Sequence, residues 1–313
     1  MKSIERLKSQ PLTWIILVAL ALMLTLSFAS PYFMTLGNMT NLMKQVSIVA
    51  ILAAGQGIVI ISGGIDLSVG SVLALSAVTI GWLIEAGVPS GLATIGGLAV
   101  GTLAGWINGM VITRGRIPPF IATLGMLGIA RGVALVITNG VSYQVLDPLF
   151  LFIGNSKLAG LPIPLFFVIG VYAVICVMMH LTVLGRHVYA IGGDERVARL
   201  EGIPVDRQKV KIYMLCGFLS GVAAVVLVGR LAATPPSVAE GIELQAIAAV
   251  IIGGVSFAGG RGIVATALVG ALIMAMITNG LNILGISSFY QQVLIGMVII
   301  AAVWLDNLKS RSG

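Results

Sequence analysis

The sequence predicts an all-α fold, a polytopic membrane helix bundle of about ten transmembrane segments, some of them interrupted. Three observations carry this. The 313 residues are 58% hydrophobic and only 9% charged, whereas soluble domains carry about 25% charged residues. Apolar runs recur along the whole chain at lengths near the ~20 residues that a helix needs to cross a bilayer. Two stretches, 58–71 (IVIISGGIDLSVGS) and 248–263 (AAVIIGGVSFAGGRGI), break an apolar run with a glycine pair and a polar turn. In lipid, a backbone that leaves the helix must satisfy its polar groups inside protein or at water. Paired interruptions in two halves of a chain therefore point to a transport pathway.

Ten segments follow in order: 12–29, 46–61, 69–84, 92–112, 120–137, 164–184, 212–231, 244–257, 263–283 and 291–305. They form a single transmembrane domain over 1–313, with no soluble domain. The first follows Lys2, Arg6 and Lys8. Its apolar run exceeds the roughly 7–15 residues of a signal-peptide core, so it reads as an uncleaved helix. The second and third flank the first interruption. The fourth carries Gly97, Gly101, Gly105 and Gly109 on one face, a surface for close helix contact within the bundle or between subunits. The fifth holds Arg131. The sixth and seventh hold Cys176 and Cys216, which read as packing residues, and His180 reads as a helix-interface residue. No Cys, His, Asp or Glu spacing suits a metal. The eighth and ninth flank the second interruption. Asn279 and Asn282 close the ninth, and Gln291 and Gln292 open the tenth. The second, third, eighth and tenth are short and stop at mid-depth or continue irregularly.

The formal charge of +7 raises the question of nucleic acid, but its distribution answers it. Fourteen of the 18 Lys and Arg fall on one side of these spans, including the termini and residues 185–211. Lys44, Lys157 and Arg230 fall on the other side, and Arg131 lies within a span. This is the positive-inside bias. It places both termini in the cytoplasm and excludes a nucleic-acid partner.

Ser62, Asp66 and Ser68 of the first interruption are candidates for a pathway or gate. Asp66 is the only charge between residues 45 and 84. It could cap the following helix, contact the pathway or couple an ion. Arg131 is too deep to snorkel and should meet a carboxylate, Asp66 being one possibility, or free carbonyls. Asn279 and Asn282 suit a neutral polyhydroxyl solute, or else bond between helices. Between 185 and 211, Asp194 can cap a short helix through Leu200, carrying Glu195, Arg196 and Arg199. Gly202 can end it and Pro204 cannot extend it. Such a helix suits docking of a soluble partner. No GxxxxGK[ST] motif occurs, so the chain has no P-loop for ATP. No catalytic or metal site is found.

The stretches SGGIDLSVGS (62–71), GRIPPFIATLGM (115–126), GRHVYAIGGDERVARLEGIPV (185–205), ELQAIAAVIIGGVSFAGGRG (243–262) and NGLNILGISSFYQ (279–291) resemble the permease subunit of ribose-type ABC importers. The resemblance runs from about residue 45 to 306. It implies ten transmembrane helices, a second permease subunit, a cytoplasmic ABC ATPase that holds ATP and Mg, and a periplasmic sugar-binding protein. It further implies that Asp194, Glu195, Arg196, Arg199, Leu200 and Gly202 form the loop that seats on the ATPase. Asp194 and Glu201 depart from the Asn and small residue more usual there. The expected role is the translocating subunit of a monosaccharide importer in a bacterial inner membrane, with no cofactor on this chain. The rival is an ion-coupled secondary transporter working alone.

Overall fold

In the computed structural model, which describes residues 11–311, seven helices are long and apolar enough to cross a membrane, and three shorter apolar helices accompany them. Lys2, Arg6 and Lys8 lie outside the described residues, as do the side chains of Lys309 and Arg311. The first half runs α1 (Pro11–Ala29), α2 (Leu36–Ile61), α3 (Val69–Glu85), α4 (Ser90–Thr113) and α5 (Pro119–Thr138). A connection with strand β1 (Tyr143–Gln144), helix α6 (Pro148–Asn155) and the hairpin β2–β3 (Lys157–Leu158, Leu161–Pro162) leads to α7 (Ile163–Leu181). Two short helices, α8 (Val183–Gly193) and α9 (Glu195–Leu200), precede α10 (Val205–Leu231) and strand β4 (Ala233–Thr234). The chain ends with α11 (Ile242–Ile252), a 3-10 turn (Val264–Thr266), α12 (Ala267–Ile283) and α13 (Ser288–Arg311).

Helix existence follows the sequence expectation, but several bounds do not. The second span starts at Leu36 rather than 46, because Thr35 caps it and Asn38 finds a partner on α12. Its polar first turns hid a continuous helix. The seventh starts at Val205, since a charged first turn at the membrane edge is ordinary helix. The eighth stops at Ile252 rather than 257, at a glycine. Residues 185–211, read as a loop around one short helix, are helical over most of their length.

Helices apolar on all sides belong in the centre of a bundle. α2 and α10 fit this: 89% and 78% of their apolar windows are buried, against 6% for α1. Gly55 of α2 abuts Cys216 of α10, and the Tyr172 hydroxyl of α7 donates to Ala50 O of α2 at 3.1 Å. The glycine stripe of α4 faces α10 and α3. A Cβ on Gly101 would sit 2.5 Å from Gly217 O, one on Gly105 would overlap Tyr213 O, and one on Gly109 would sit 2.7 Å from Val210 Cα. The stripe is therefore used within the chain, which removes it as a subunit interface. His180, expected at a helix interface, is exposed, with its Nδ1 2.9 Å from Cys176 O. At one end of the bundle β1 pairs antiparallel with β4, Tyr143 opposite Thr234. At the other end lie the two interruptions and α8–α9.

Candidate translocation and coupling site

Both interruptions begin with the same backbone device. After α2, Gly63 N donates to Ile60 O (2.9 Å) and Gly64 N to Val59 O (3.0 Å), with Gly63 at φ +80°. After α11, Gly254 N donates to Ile251 O (2.9 Å) and Val255 N to Val250 O (3.2 Å), with Gly254 at φ +85°. These bonds satisfy helix carbonyls that would otherwise be orphaned, and glycine enters the left-handed region without a Cβ penalty.

Beyond the stop the first turn is organised by Asp66, which is 2% exposed. Its Oδ1 accepts from Ser68 N (2.8 Å) and Ser68 Oγ (2.6 Å), and Asn108 Nδ2 of α4 donates to Ser68 Oγ (2.9 Å). The Gln56 amide, with its nitrogen toward Asp66 O, pairs with both backbone groups of Asp66 at 3.1 and 3.2 Å. Ser62 Oγ donates to Val59 O at 2.7 Å. The expected cap of α3 is thus displaced. The residue at the cap position is Ser68, without a side-chain cap bond, and the Asp66 carboxylate closes the turn just before the helix.

The second turn has no acid. Ser256 N donates to Arg261 O (3.1 Å) and Gly259 N to Ser256 O (3.1 Å), while Gly259 and Gly260 take φ of +87° and +69°. The two turns touch: Gly260 N donates to Ile61 O at 2.8 Å.

The remaining pathway candidates do not converge on Asp66. Arg131 Nη1 donates to Pro236 O (2.5 Å) and Val238 O (2.8 Å). It meets free carbonyls of the 232–241 connection, not Asp66. Asn279 and Asn38 exchange side-chain bonds at 2.9 and 3.0 Å, and Asn282 Oδ1 accepts from Gln291 Nε2 at 2.7 Å. These are bonds between helices. A recess of about 170 Å³ lies instead beside the start of α11, where Gln45, Arg230, Glu240 and Gln245 alternate with an apolar lining that includes Ile48 and Leu227. Sequence reasoning did not single out these residues as a site. Their one signal was polar side chains at the ends of apolar runs. Asn108, an amide inside an apolar span, was also missed.

At α9 the sequence expectation and the structure agree locally. Asp194 Oδ1 accepts from Arg196 N (2.7 Å) and Val197 N (3.2 Å). Gly202 at φ +80° ends the helix, its N–H bonded to Arg199 O and that of Ile203 to Ala198 O. Glu195 and Arg199, however, are held by their own chain. Arg199 pairs with Glu195 (2.9 Å) and Asp206 (2.5 Å), and Lys209 pairs with Glu195 (2.5 Å). Burial raises the Glu195 carboxyl, but the hydrogen bonds from Lys209 and Arg199 outweigh it and hold the group below its ordinary value. The hydrogen bonds that Arg199 donates to Asp206 and Glu195 raise its guanidinium above the ordinary value. Such part-exposed pairs contribute about 0–1 kcal/mol each. They clamp α9 to α10 and leave Arg196, Val197 and Leu200 as its free face, Leu200 being 85% exposed. Beside the clamp is a recess of about 460 Å³ lined by Arg116, Pro118, Glu195, Arg199, Asp206 and Lys209.

Residues 38–303 match the family model described as branched-chain amino acid transport system / permease component. The chain is 41% identical over 298 residues to the ribose import permease protein RbsC of Escherichia coli K12, covering 94% of this chain and 93% of that protein. It is 44% identical over 291 residues to RbsC of Bacillus subtilis 168, covering 92% and 90%. It is 39% identical over 286 residues to the D-allose transport system permease protein AlsC of E. coli K12, covering 91% and 88%. No solved structure gives a significant match. With its multi-pass helical fold, the chain belongs to this family of transport-system permease components.

Proposed function

We propose that this chain is the translocating subunit of a binding-protein-dependent, ATP-driven monosaccharide importer. The observation that carries the reading is the similarity of more than nine-tenths of the chain to ribose permeases, at 41–44% identity. Permeases named for allose, L-arabinose and fructose are also relatives, which supports a sugar over the amino acid of the family description. On this reading the chain sits in a bacterial inner membrane with both termini in the cytoplasm. A second copy completes the pathway, and a periplasmic sugar-binding protein delivers the solute. A separate cytoplasmic ATPase binds ATP and Mg. The exposed Leu200, Val197 and Arg196 of α9 offer that ATPase an apolar contact edged by one cation, with Asp194 and Gly202 fixing the helix ends. Asp66, Ser62 and Ser68 shape the turn of the gate, and the recess at Gln45, Arg230, Glu240 and Gln245 handles the polyol.

The test is sugar uptake in proteoliposomes carrying the chain, with ATPase, binding protein and ATP each omitted in turn. Uptake is expected only when all are present. Uptake driven by an ion gradient without the ATPase would support the secondary-transporter reading instead.

A further inference from the structure

Three glycine-bearing segments from distant parts of the sequence meet at one point. α8 ends at Gly192–Gly193, directly before Asp194 caps α9. A Cβ on Gly192 would overlap Ile61 O, the last helical residue before the first interruption, and would sit 2.6 Å from Gly260 N of the second. A Cβ on Gly259 would sit 2.9 Å from Gly192 O and 3.1 Å from Gly63 Cα, and one on Gly260 would sit 2.8 Å from Gly193 Cα. Tyr189, one turn before, donates its hydroxyl to Gly262 O at 2.9 Å. The Gly260 N–H to Ile61 O bond closes the contact between the two turns. Backbone therefore rests on backbone, with no side chain between to cushion a shift. Close-packed interfaces of this kind pass a displacement on rather than absorb it.

We infer that Gly192 and Tyr189 are positioning residues that tie the partner-docking helix α9 to both interrupted turns at once, so that a movement of α9 displaces the turns together. The inference rests on the proposed importer function, and it assigns the coupling step to specific atoms. It explains why Asp194 follows the junction without a linker: α8 and α9 share that residue as stop and start, so α9 cannot swing without moving Gly192.

A matched pair of variants tests it. Gly192 and Gly193 are adjacent in one helix, neither has a positive φ, and a Cβ on Gly193 would meet nothing within 4 Å. Gly192→Ala and Gly193→Ala thus change helix propensity equally, but only the first intrudes on the junction. Tyr189→Phe removes only the hydroxyl bond. Each variant is reconstituted as the full importer, and sugar uptake, ATP hydrolysis and ATPase co-purification are read in parallel. Gly192→Ala is expected to retain the ATPase and its hydrolysis while uptake per ATP falls about ten-fold or more, the rate equivalent of a local overpacking cost. Tyr189→Phe is expected to lower the same ratio less, and Gly193→Ala to match the parent. A merely structural defect would lower hydrolysis and uptake together and leave their ratio fixed, which overturns the inference. Equal ratios for Gly192→Ala and Gly193→Ala overturn it too. If Gly192→Ala does not assemble, Tyr189→Phe decides: a parental ratio overturns the inference. Absence of ATP-driven uptake in the parent would instead reject the importer reading itself.

Discussion

Residues 62–68 and 253–263 both follow an apolar helix ended by a left-handed glycine with the same pair of closing hydrogen bonds. What comes next differs. The first turn is held by a side-chain network: Ser68 donates to the Asp66 carboxylate, Asn108 of α4 donates to Ser68 Oγ, and Gln56 of α2 pairs with the Asp66 backbone. The second is held mainly by backbone bonds, through Ser256, Arg261 and three further positive-φ glycines, Gly259, Gly260 and Gly262, with two side-chain bonds added, Tyr189 of α8 to Gly262 O and Ala258 N to Ser256 Oγ. The first turn is therefore sensitive to chemistry and the second to backbone geometry. A buried polar network is costly to break because each stranded donor keeps its desolvation cost, whereas a glycine turn resists mainly a Cβ.

The largest expected effect lies in the first turn. Asp66→Leu removes the acceptor of both Ser68 donors, the N–H and the O–H, in a buried site, while Asn108 still donates to Ser68 Oγ, a loss of about 1–3 kcal/mol for each unsatisfied donor. Asp66→Asn keeps an acceptor oxygen in place and should lose less than half as much. Thermal unfolding in detergent compares the two, and equal melting temperatures for both variants and the parent would remove Asp66 as the organiser of the turn.

A mid-sized effect should separate the glycines of the two turns. Gly63→Ala and Gly259→Ala each force an L-residue to positive φ, at about 1–2 kcal/mol. Only Gly259 adds a close contact, since a Cβ on Gly63 would have Gly192 Cα 3.8 Å away. Gly259→Ala should therefore be clearly the less stable variant, and the reverse order in the same unfolding assay would contradict the packing described.

The docking helix offers a smaller, pH-dependent comparison. The depressed Glu195 carboxyl contributes stability that is fully present above its ordinary unfolded range and is lost as pH falls through the lowered value. Amide exchange in α9 should stay constant from neutral pH down to that range and then quicken, once corrected for intrinsic rates. In Glu195→Gln the acid-linked quickening should shrink to the part carried by Asp206, whose carboxyl the hydrogen bond from Arg199 also holds below its ordinary value. The smallest effect is expected at the one charge of the second turn. Arg261 is exposed, so Arg261→Ala should change stability by no more than about 0.5 kcal/mol, against the much larger loss at Asp66.

How much of this was legible follows from which signals are local. Both interruptions and the caps of α9 were readable, because glycine stops and an Asp cap act within a few residues of sequence. The early start of α2 was not, since Asn38 looks like a loop residue until Asn279 answers it from α12. Arg131 was rightly expected to need carbonyls or a carboxylate, but the choice depended on where the 232–241 connection folds. The pairing of Glu195 and Arg199 with α10 ties up two of the six expected docking residues, while Arg196 and Leu200 face outward and Val197, which was not expected, joins them. The junction at Gly192 could not be read at all, because it joins three segments through backbone atoms that carry no residue-specific pattern.

The central claim is that both interrupted turns lie at the same end of the molecule as α9, the helix proposed to dock the ATPase. Single cysteines at Glu201, Ala258 and Ser142, all exposed positions, test it most directly in a chain with Cys176 and Cys216 replaced. Labelling uses a membrane-impermeant thiol reagent applied to either face of sealed vesicles containing the full importer. The account predicts that Glu201→Cys and Ala258→Cys label only from the ATPase face and Ser142→Cys only from the opposite face. Labelling of Ala258→Cys from the same face as Ser142→Cys would contradict it.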